Sequence, residues 1–278
     1  MSREPMIRYR GLSLHYTCDT EALPKSLRNR FRPLGLDDST KRWIDNALEQ
    51  PHSDAVMQVR EAVRRKMSDY DINGTLGIFS MRVLGTRQWQ ALLGQDFLGA
   101  RLLDVGAGDG QVTRELAPLF ESVEATETSL PMVERLKRLG YSAFPVDLTN
   151  EISSELLHRG FDMVTLLNVI DRTKRPITLM ENIARFVGEQ GYLALAVPLP
   201  LRPHVQVGGH ICAPEEQLPA DSRSWEAGVT ALTAYLLQPL GWHVDAFSRA
   251  PYLCRGNQES PVQILDDVVF LCRRRSTT

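Results

Sequence analysis

The residues with chemistry to offer stand where apolar runs stop. The segment "FDMVTLLNVIDRTKRP" leaves a buried-strand pattern at Asn168 and Asp171, an amide and a carboxylate that a strand tip does not need for stability. An amide both donates and accepts, and an ionised carboxylate only accepts, so the pair suits the orienting of a polar group and the offsetting of positive charge. Earlier, "LLDVGAGDGQVT" sets Asp104 ahead of Gly106, Gly108 and Gly110, with Asp109 between the last two. Glycines in such a turn let the backbone pass close to a ligand with no Cβ in the way. Two more carboxylates end apolar runs: Glu127 closes "SVEATE" and Asp147 closes "YSAFPVD".

The elements needed to bring these residues together follow from the alternation that begins at residue 101. Strand patterns "RLLDVG", "SVEATE", "YSAFPVD", "FDMVTLLN" and "GYLALAVPLP" alternate with helical patterns "GQVTRELAPLF", "SLPMVERLKRLG", "EISSELLHRG" and "RPITLMENIARFVG". Ser129 caps the second of these helices and Pro131 lies in its first turn. Such repetition predicts a parallel sheet with helices on both faces, whose ligands bind beyond the carboxyl ends of the strands. The pattern breaks at "PLPLRPHVQVGGH", residues 198–210, and resumes with the helix "RSWEAGVTALTAYLLQPLG". Two strands follow, "WHVDAFSRAPYL" and "DDVVFLCRR", joined by a short link and so expected to pair antiparallel. The fold class expected is α/β, the Rossmann-like sheet of class I methyltransferases: seven strands, mostly parallel, with an antiparallel last strand. Residues 101–278 would form this domain. Residues 1–100 read as a helical cover segment: "STKRWIDNALEQ" begun by Ser39, "SDAVMQVREAVRRKM" with a stripe at Val56, Val59, Val63 and Met67, and a short "TRQWQALLG". Between them lies a glycine-broken connector, "DINGTLGIFSMR", expected to lie over the site.

The first turn chooses the cofactor by charge. A dinucleotide turn reads G-x-G-x-x-G and faces a pyrophosphate, whereas this one reads G-x-G-x-G with Asp104 before it and Asp109 inside it. Two carboxylates repel a pyrophosphate. S-adenosylmethionine carries a sulfonium and an ammonium and no phosphate, and is the cofactor expected. Glu127 is placed to accept ribose hydroxyls, and Asp147 to accept the adenine amino group or else to cap "LTNE". Asp171 has rivals to a role in the site: it could cap the next helix, or pair with Arg172 or Arg175. Asn168 could be a turn residue.

Composition excludes more than it selects. The 278 residues are 43% hydrophobic, enough for a full core, and 32 basic residues against 34 acidic ones leave a net charge of −2. No basic excess points to a nucleic-acid partner. Cys18, Cys212, Cys254 and Cys272 lie far apart, which fits reduced thiols and neither a zinc site nor a disulfide framework. His204 and His210 share a loop, but no ligand spacing completes a metal site around them. No apolar run reaches membrane length, so the expectation is a cytoplasmic protein without a membrane partner.

Taken together, "LLDVGAGDGQVT", "ATETS", "LLNVIDRTKRPITLMENI", the 198–210 loop, "SWE", "AFSRAPYLC" and "LDDVVFL" resemble the DREV, or methyltransferase-like protein 9, family, from "HYTC" at residue 15 to near residue 272. The resemblance implies a protein-histidine methyltransferase that modifies the pros nitrogen, Nδ1, of histidine in His-x-His motifs. It implies S-adenosylmethionine binding at Asp104, Gly106, Gly108 and Glu127, and an acceptor site with Asn168, Asp171 and Tyr252 that receives a protein or peptide. By itself Tyr252, in "APYLC", reads equally as core packing. Two features depart from the family's animal members: the hydrophobic leader is missing, and "NQESPVQI" stands where they carry tyrosines, so no tyrosine role carries over there. The competing expectations are a small-molecule methyltransferase of the same fold and a non-catalytic scaffold, the latter disfavoured by an intact cofactor turn.

Overall fold

The computed structural model describes residues 6–150, 156, 160–207, 210–219, 221 and 223–274. Its strands in chain order are β1 (Ile7–Tyr9), β2 (Leu12–Leu14), β3 (Met81–Arg82), β4 (Gly99–Val105), β5 (Phe120–Thr126), β6 (Ser142–Phe144), β7 (Phe161–Leu167), β8 (Val187–Pro198), β9 (Val205–Val207), β10 (His210–Cys212), β11 (Trp242–Arg255) and β12 (Val262–Arg274). Two of the pairs, β1 with β2 and β9 with β10, are separate hairpins, and the remaining eight strands form one sheet in the order β3-β11-β12-β8-β7-β4-β5-β6. The seven expected strands are all present. Those from β6 to β8 run parallel, and β12 is antiparallel to both β8 and β11. The eighth strand comes from the first hundred residues: β3 pairs antiparallel with the edge of β11, setting Arg82 against Leu253 and Met81 against Cys254.

The period of two along each strand divides the core into two layers. Leu103, Val105, Val164 and Leu166 face one way and meet Leu179, Met180 and Ile183 of the helix Pro176–Ile183 and Val229 and Leu232 of the helix Trp225–Leu232. Leu102, Met163, Ala194, Ala196 and Val269 face the other way. They meet Ile44 and Ala47 of the helix Asp38–Glu49 and Trp89 and Leu92 of the helix Thr86–Leu93. The N-terminal helices therefore pack on one face of the sheet, which they share with Leu116 and Leu119.

Local departures from the sequence expectation have physical causes. The helix Asp38–Glu49 is capped by Asp37, whose carboxylate accepts from the Thr40 N–H, and Ser39 donates to that same carboxylate instead of capping. A charged acceptor at a helix N-terminus gains from the helix dipole as well as from the hydrogen bond. The stripe on the helix Asp54–Val63 stays near the surface, with Val59 49% exposed. The "DINGTLG" connector is a helix, Asp69–Leu76, capped by Ser68 and stopped by left-handed Gly77. Its Gly74 faces the helix that follows Ser129. A Cβ there would lie 2.9 Å from Pro131 Cβ and 3.0 Å from Met132 N, so the missing side chain lets this helix close on the helix Leu130–Arg138. The helix expected over "EISSELLHRG", Leu156 and Gly160 apart, and the Gly208-Gly209 pair lie outside the described residues. Among those described, no helix is long and apolar enough to cross a membrane.

Candidate active site

The sheet order reverses between β4 and β7, and the crevice of an open α/β sheet opens at that point. The turn after β4 holds Gly106 and Gly108 at φ +70° and +56°, a region that costs glycine little. A Cβ on Gly106 would lie 2.7 Å from Val169 Cγ2, whereas one on Gly108 would project into open space with only Met81 Cε near, at 3.9 Å. The Gly108 N–H donates to Glu127 Oε2 at 3.0 Å, and Glu127 Oε1 accepts from the N–H groups of Thr128 at 2.7 Å and Ser129 at 3.0 Å. Glu127 thus ties the end of β5 to the turn after β4.

The three aspartates expected at the cofactor differ in what they face. Asp104 is only 2% exposed, and its two oxygens accept from Thr113 Oγ1 at 2.5 Å and Thr165 Oγ1 at 2.6 Å. Burial pushes its carboxyl up to about 6 against the pull of those two hydroxyls. It fastens β4 to β7 and to the short helix Thr113–Leu116 from beneath the turn. Asp109 accepts from the Gln111 N–H at 3.1 Å, and burial raises its carboxyl too. Asp147 turns onto its own loop, accepting from Thr149 N at 2.9 Å, Thr149 Oγ1 at 2.6 Å and Asn150 Nδ2 at 2.7 Å. These bonds close a turn over residues 147–150.

Beyond the turn, a cleft is lined by Asp104, Gly106, Gly108 and Asp109, by Leu167, Asn168 and Tyr252, and by Met81 and Val83. Asn168 has φ +60°, a region that asparagine enters more readily than most residues. Its N–H donates to the Ala196 carbonyl at 2.9 Å and its Nδ2 to Asp267 Oδ2 at 2.8 Å, while its Oδ1 is buried with no partner. Asp171 is 1% exposed, and neither of its carboxylate oxygens has a hydrogen-bond partner. Arg172 Nη2 stands 3.3 Å from Asp171 Oδ2, an ion pair by distance but without hydrogen-bond alignment. Burial raises the Asp171 carboxyl, while Arg172 and His204 hold it down. His204 is engaged elsewhere: its ring lies against Arg172 Nη1, and its N–H donates to the Asp171 carbonyl at 2.9 Å.

Of the rival roles for Asp171, the pair with Arg172 is present, and Glu216 fills the other two. Glu216 Oε2 accepts from the Ile177 and Thr178 N–H groups at 2.8 and 2.9 Å, capping the helix that Asp171 could have capped, and Arg175 pairs with Glu216 at 3.7 Å. Tyr252 is both packed and on the cleft: it is 9% exposed, and its hydroxyl donates to Met81 Sδ across the β3–β11 seam. Burial, with Cys254, Asp267 and Asp171 nearby, raises its phenol well above the ordinary value, so it stays protonated.

Sequence reasoning passed over Asp267, Met81 and the two threonines under Asp104. A signal for Asp267 was present in "LDDVVFL". Alternation puts Asp267 on the side of buried Val269 and Leu271, whereas Asp266 faces the other way and pairs with Arg249 at 2.7 Å. A carboxylate at a core position needs a reason.

A glycine turn flanked by carboxylates at the reversal point, in a sheet whose antiparallel last strand is inserted between its fifth and sixth, defines a Rossmann-like class I methyltransferase. Residues 15–274 match the DREV methyltransferase family, and the chain belongs to that family. Among solved structures it is similar to the N-methyltransferase NodS from Bradyrhizobium japonicum WM9 in complex with S-adenosyl-L-homocysteine. The two share 14% identity over 69% of this chain and 86% of that one, with a TM-score of 0.45. It is also similar to a SAM-dependent methyltransferase of the DUF858 family from Leishmania major, at 17% identity over 86% of this chain and 87% of that one, with a TM-score of 0.46. S-adenosylmethionine is the cofactor, and the residues present fit it: Gly108 leaves the cleft open where a Cβ would enter, and carboxylates line the turn where a phosphate would be repelled.

Proposed function

We propose that this protein methylates histidine in proteins, at Nδ1 of His-x-His motifs, with a protein or peptide as its partner. The observation that carries the reading is Asp171: a buried carboxylate three residues past the cleft-lining Asn168, whose two oxygens lack hydrogen bonds although Arg172 stands 3.3 Å from one of them. A buried acceptor without a hydrogen bond is costly, and an N–H donor entering with the substrate would relieve it.

S-adenosylmethionine supplies an electrophilic methyl group on a sulfonium. The protein's task is to choose the nucleophile and hold it in place. Histidine has a reference pKa of about 6.5, so near neutrality it already offers a lone pair and needs no strong base. Each neutral tautomer has its lone pair on one nitrogen and its proton on the other. With the Nε2–H donated to Asp171, the Nδ1 lone pair is the one left to react. As the ring gains positive charge, the same carboxylate offsets it, as the aspartate of a catalytic triad does for its histidine. Asn168 Oδ1 offers a second acceptor for the substrate or for the amino group of the cofactor. Gly108 gives the cofactor close backbone approach, while Gly106 lets the turn close on Val169. Glu127 would take ribose hydroxyls in exchange for part of its present bonding to Gly108 and Thr128. The 198–210 loop, which leaves β8 and forms the β9–β10 hairpin, stands as a wall for a peptide.

The test is mass-spectrometric assay of the purified protein with S-adenosylmethionine and a His-Ala-His peptide, beside a peptide with both histidines replaced by alanine. One added methyl group on the first peptide only, mapped to Nδ1, is the expected result. Tight cofactor binding with no methyl transfer to any His-x-His peptide would sink the reading and favour a small-molecule acceptor.

A further inference from the structure

The acceptor end of the cleft has an arrangement that reaches beyond Asp171. Asp267 lies on β12, fully buried, opposite Pro198 of β8 and Ala250 of β11. From there it reaches Asn168 at the tip of β7 with one short bond, Nδ2 to Oδ2 at 2.8 Å, while its Oδ1 has no partner. An amide has two ends that nearly superpose in shape but differ in polarity, and its neighbours decide which end points where. Asn168 Nδ2 donates to Asp267 Oδ2, so the donating end of the amide faces Asp267, the arrangement that an ionised carboxylate, or a neutral one protonated at Oδ1, requires. The other end, Asn168 Oδ1, is then left for a ligand, and Asn168 lines the cleft. Its left-handed backbone holds the side chain there.

We propose that Asp267 is a positioning residue, which turns the Asn168 amide so that the acceptor end of the cleft presents hydrogen-bond acceptors, Asn168 Oδ1 and the Asp171 carboxylate, and thereby selects an incoming group that carries N–H. The inference rests on the histidine reading only for the identity of that group. It accounts for three buried oxygens without hydrogen-bond partners: Asn168 Oδ1 and both of Asp171. A site built to receive N–H donors leaves such acceptors waiting, and a group without N–H would bury them unpaired.

The test is reciprocal exchange. D267N puts two amides face to face, and either end of Asn168 can then point at the cleft. N168D sets two carboxylates against each other. In the double variant N168D/D267N the exchanged amide at 267 donates to the exchanged carboxylate at 168, whose second oxygen again faces the ligand as an acceptor. With the His-Ala-His peptide, each single variant should lose at least about tenfold in kcat, and the double should recover to within about threefold of wild type. A double variant no better than the worse single would overturn the proposal and leave Asp267 a packing residue. Should the wild type methylate no such peptide, the histidine reading fails and the positioning role is tested without an acceptor. The side-chain amide resonances of Asn168 in 15N-labelled protein, identified by their loss in N168D, should exchange slowly in wild type and shift and broaden in D267N. Unchanged amide resonances in D267N would overturn it.

Discussion

At the scale of single residues the site depends on carboxylates held away from water. Asp171→Asn keeps the size of the side chain but can turn an N–H toward the imidazole. It should leave S-adenosylmethionine affinity within about twofold by calorimetry while single-turnover methyl transfer falls by about 10²- to 10⁴-fold, the range for loss of a tautomer-fixing carboxylate. Equal losses in binding and turnover would place Asp171 in the cofactor site instead. A peptide whose first histidine is already methylated at Nε2 keeps its Nδ1 lone pair but has no N–H for Asp171, and should react at least about 100-fold more slowly. Asp104 gives a stability signature. Its folded-state carboxyl lies at about 6 against an ordinary 3.8, so the folded state binds the proton more tightly than the unfolded one does. The resulting stabilisation is complete below about pH 4 and is lost as pH rises through about 6. In urea unfolding between pH 4.5 and 7, wild type should lose more stability than Asp104→Asn, by about 2 kcal/mol. A parallel pH dependence in the two proteins would show that Asp104 titrates normally. Asp104, Glu127, Asn168 and Asp171 were legible in the sequence because each ends an apolar run. Asp267 was not singled out, because its importance comes from a partner 99 positions away.

At the scale of elements, the helix Asp69–Leu76 links the N-terminal segment to the cofactor side. Gly74 meets Pro131 and Met132, Arg135 Nε donates to the Gly74 carbonyl, and Ser129 Oγ donates to Asp71 Oδ1 at 2.7 Å. Ser129 also donates its N–H to Glu127, so the position of this helix is coupled to the turn that faces the ribose. Gly74→Val would push the helices apart. It should cost about 1–3 kcal/mol in unfolding free energy and weaken S-adenosylmethionine binding several-fold by calorimetry. An unchanged cofactor affinity in a destabilised protein would uncouple the two. Helical periodicity alone did not reveal this element: an asparagine followed by a glycine in eight residues, with a second glycine just past the end, makes a poor local helix former. Packing against the helix Leu130–Arg138 overrides that local preference.

At the scale of the whole molecule, the first hundred residues are built into the sheet. They contribute β3, the Met81 and Val83 lining of the cleft, and the layer holding Ile44, Trp89 and Leu92 over Leu102, Met163 and Val269. Residues 101–278 expressed alone would expose that face, an apolar patch large enough to bind dyes and to aggregate. The fragment should bind anilinonaphthalene sulfonate and melt without a cooperative transition, in contrast to the full chain. A fragment that melts cooperatively and binds cofactor would show that the N-terminal layer is dispensable.

The sequence by itself determined the alternation of strands and helices, the closing antiparallel pair and the charge of the cofactor turn. Periodicity, glycine placement and the sign of charge act within a few residues, and local pattern suffices to read them. Only the tertiary structure decided that Glu216, not Asp171, caps the helix Pro176–Ile183, that Asp147 closes its own turn, and that Asp267 sets the orientation of Asn168. Each of these turns on which of several chemically equivalent groups comes within hydrogen-bond reach. That is fixed by the closing of the sheet, which brings β12 between β8 and β11 and sets a carboxylate from the end of the chain beside an amide from its middle.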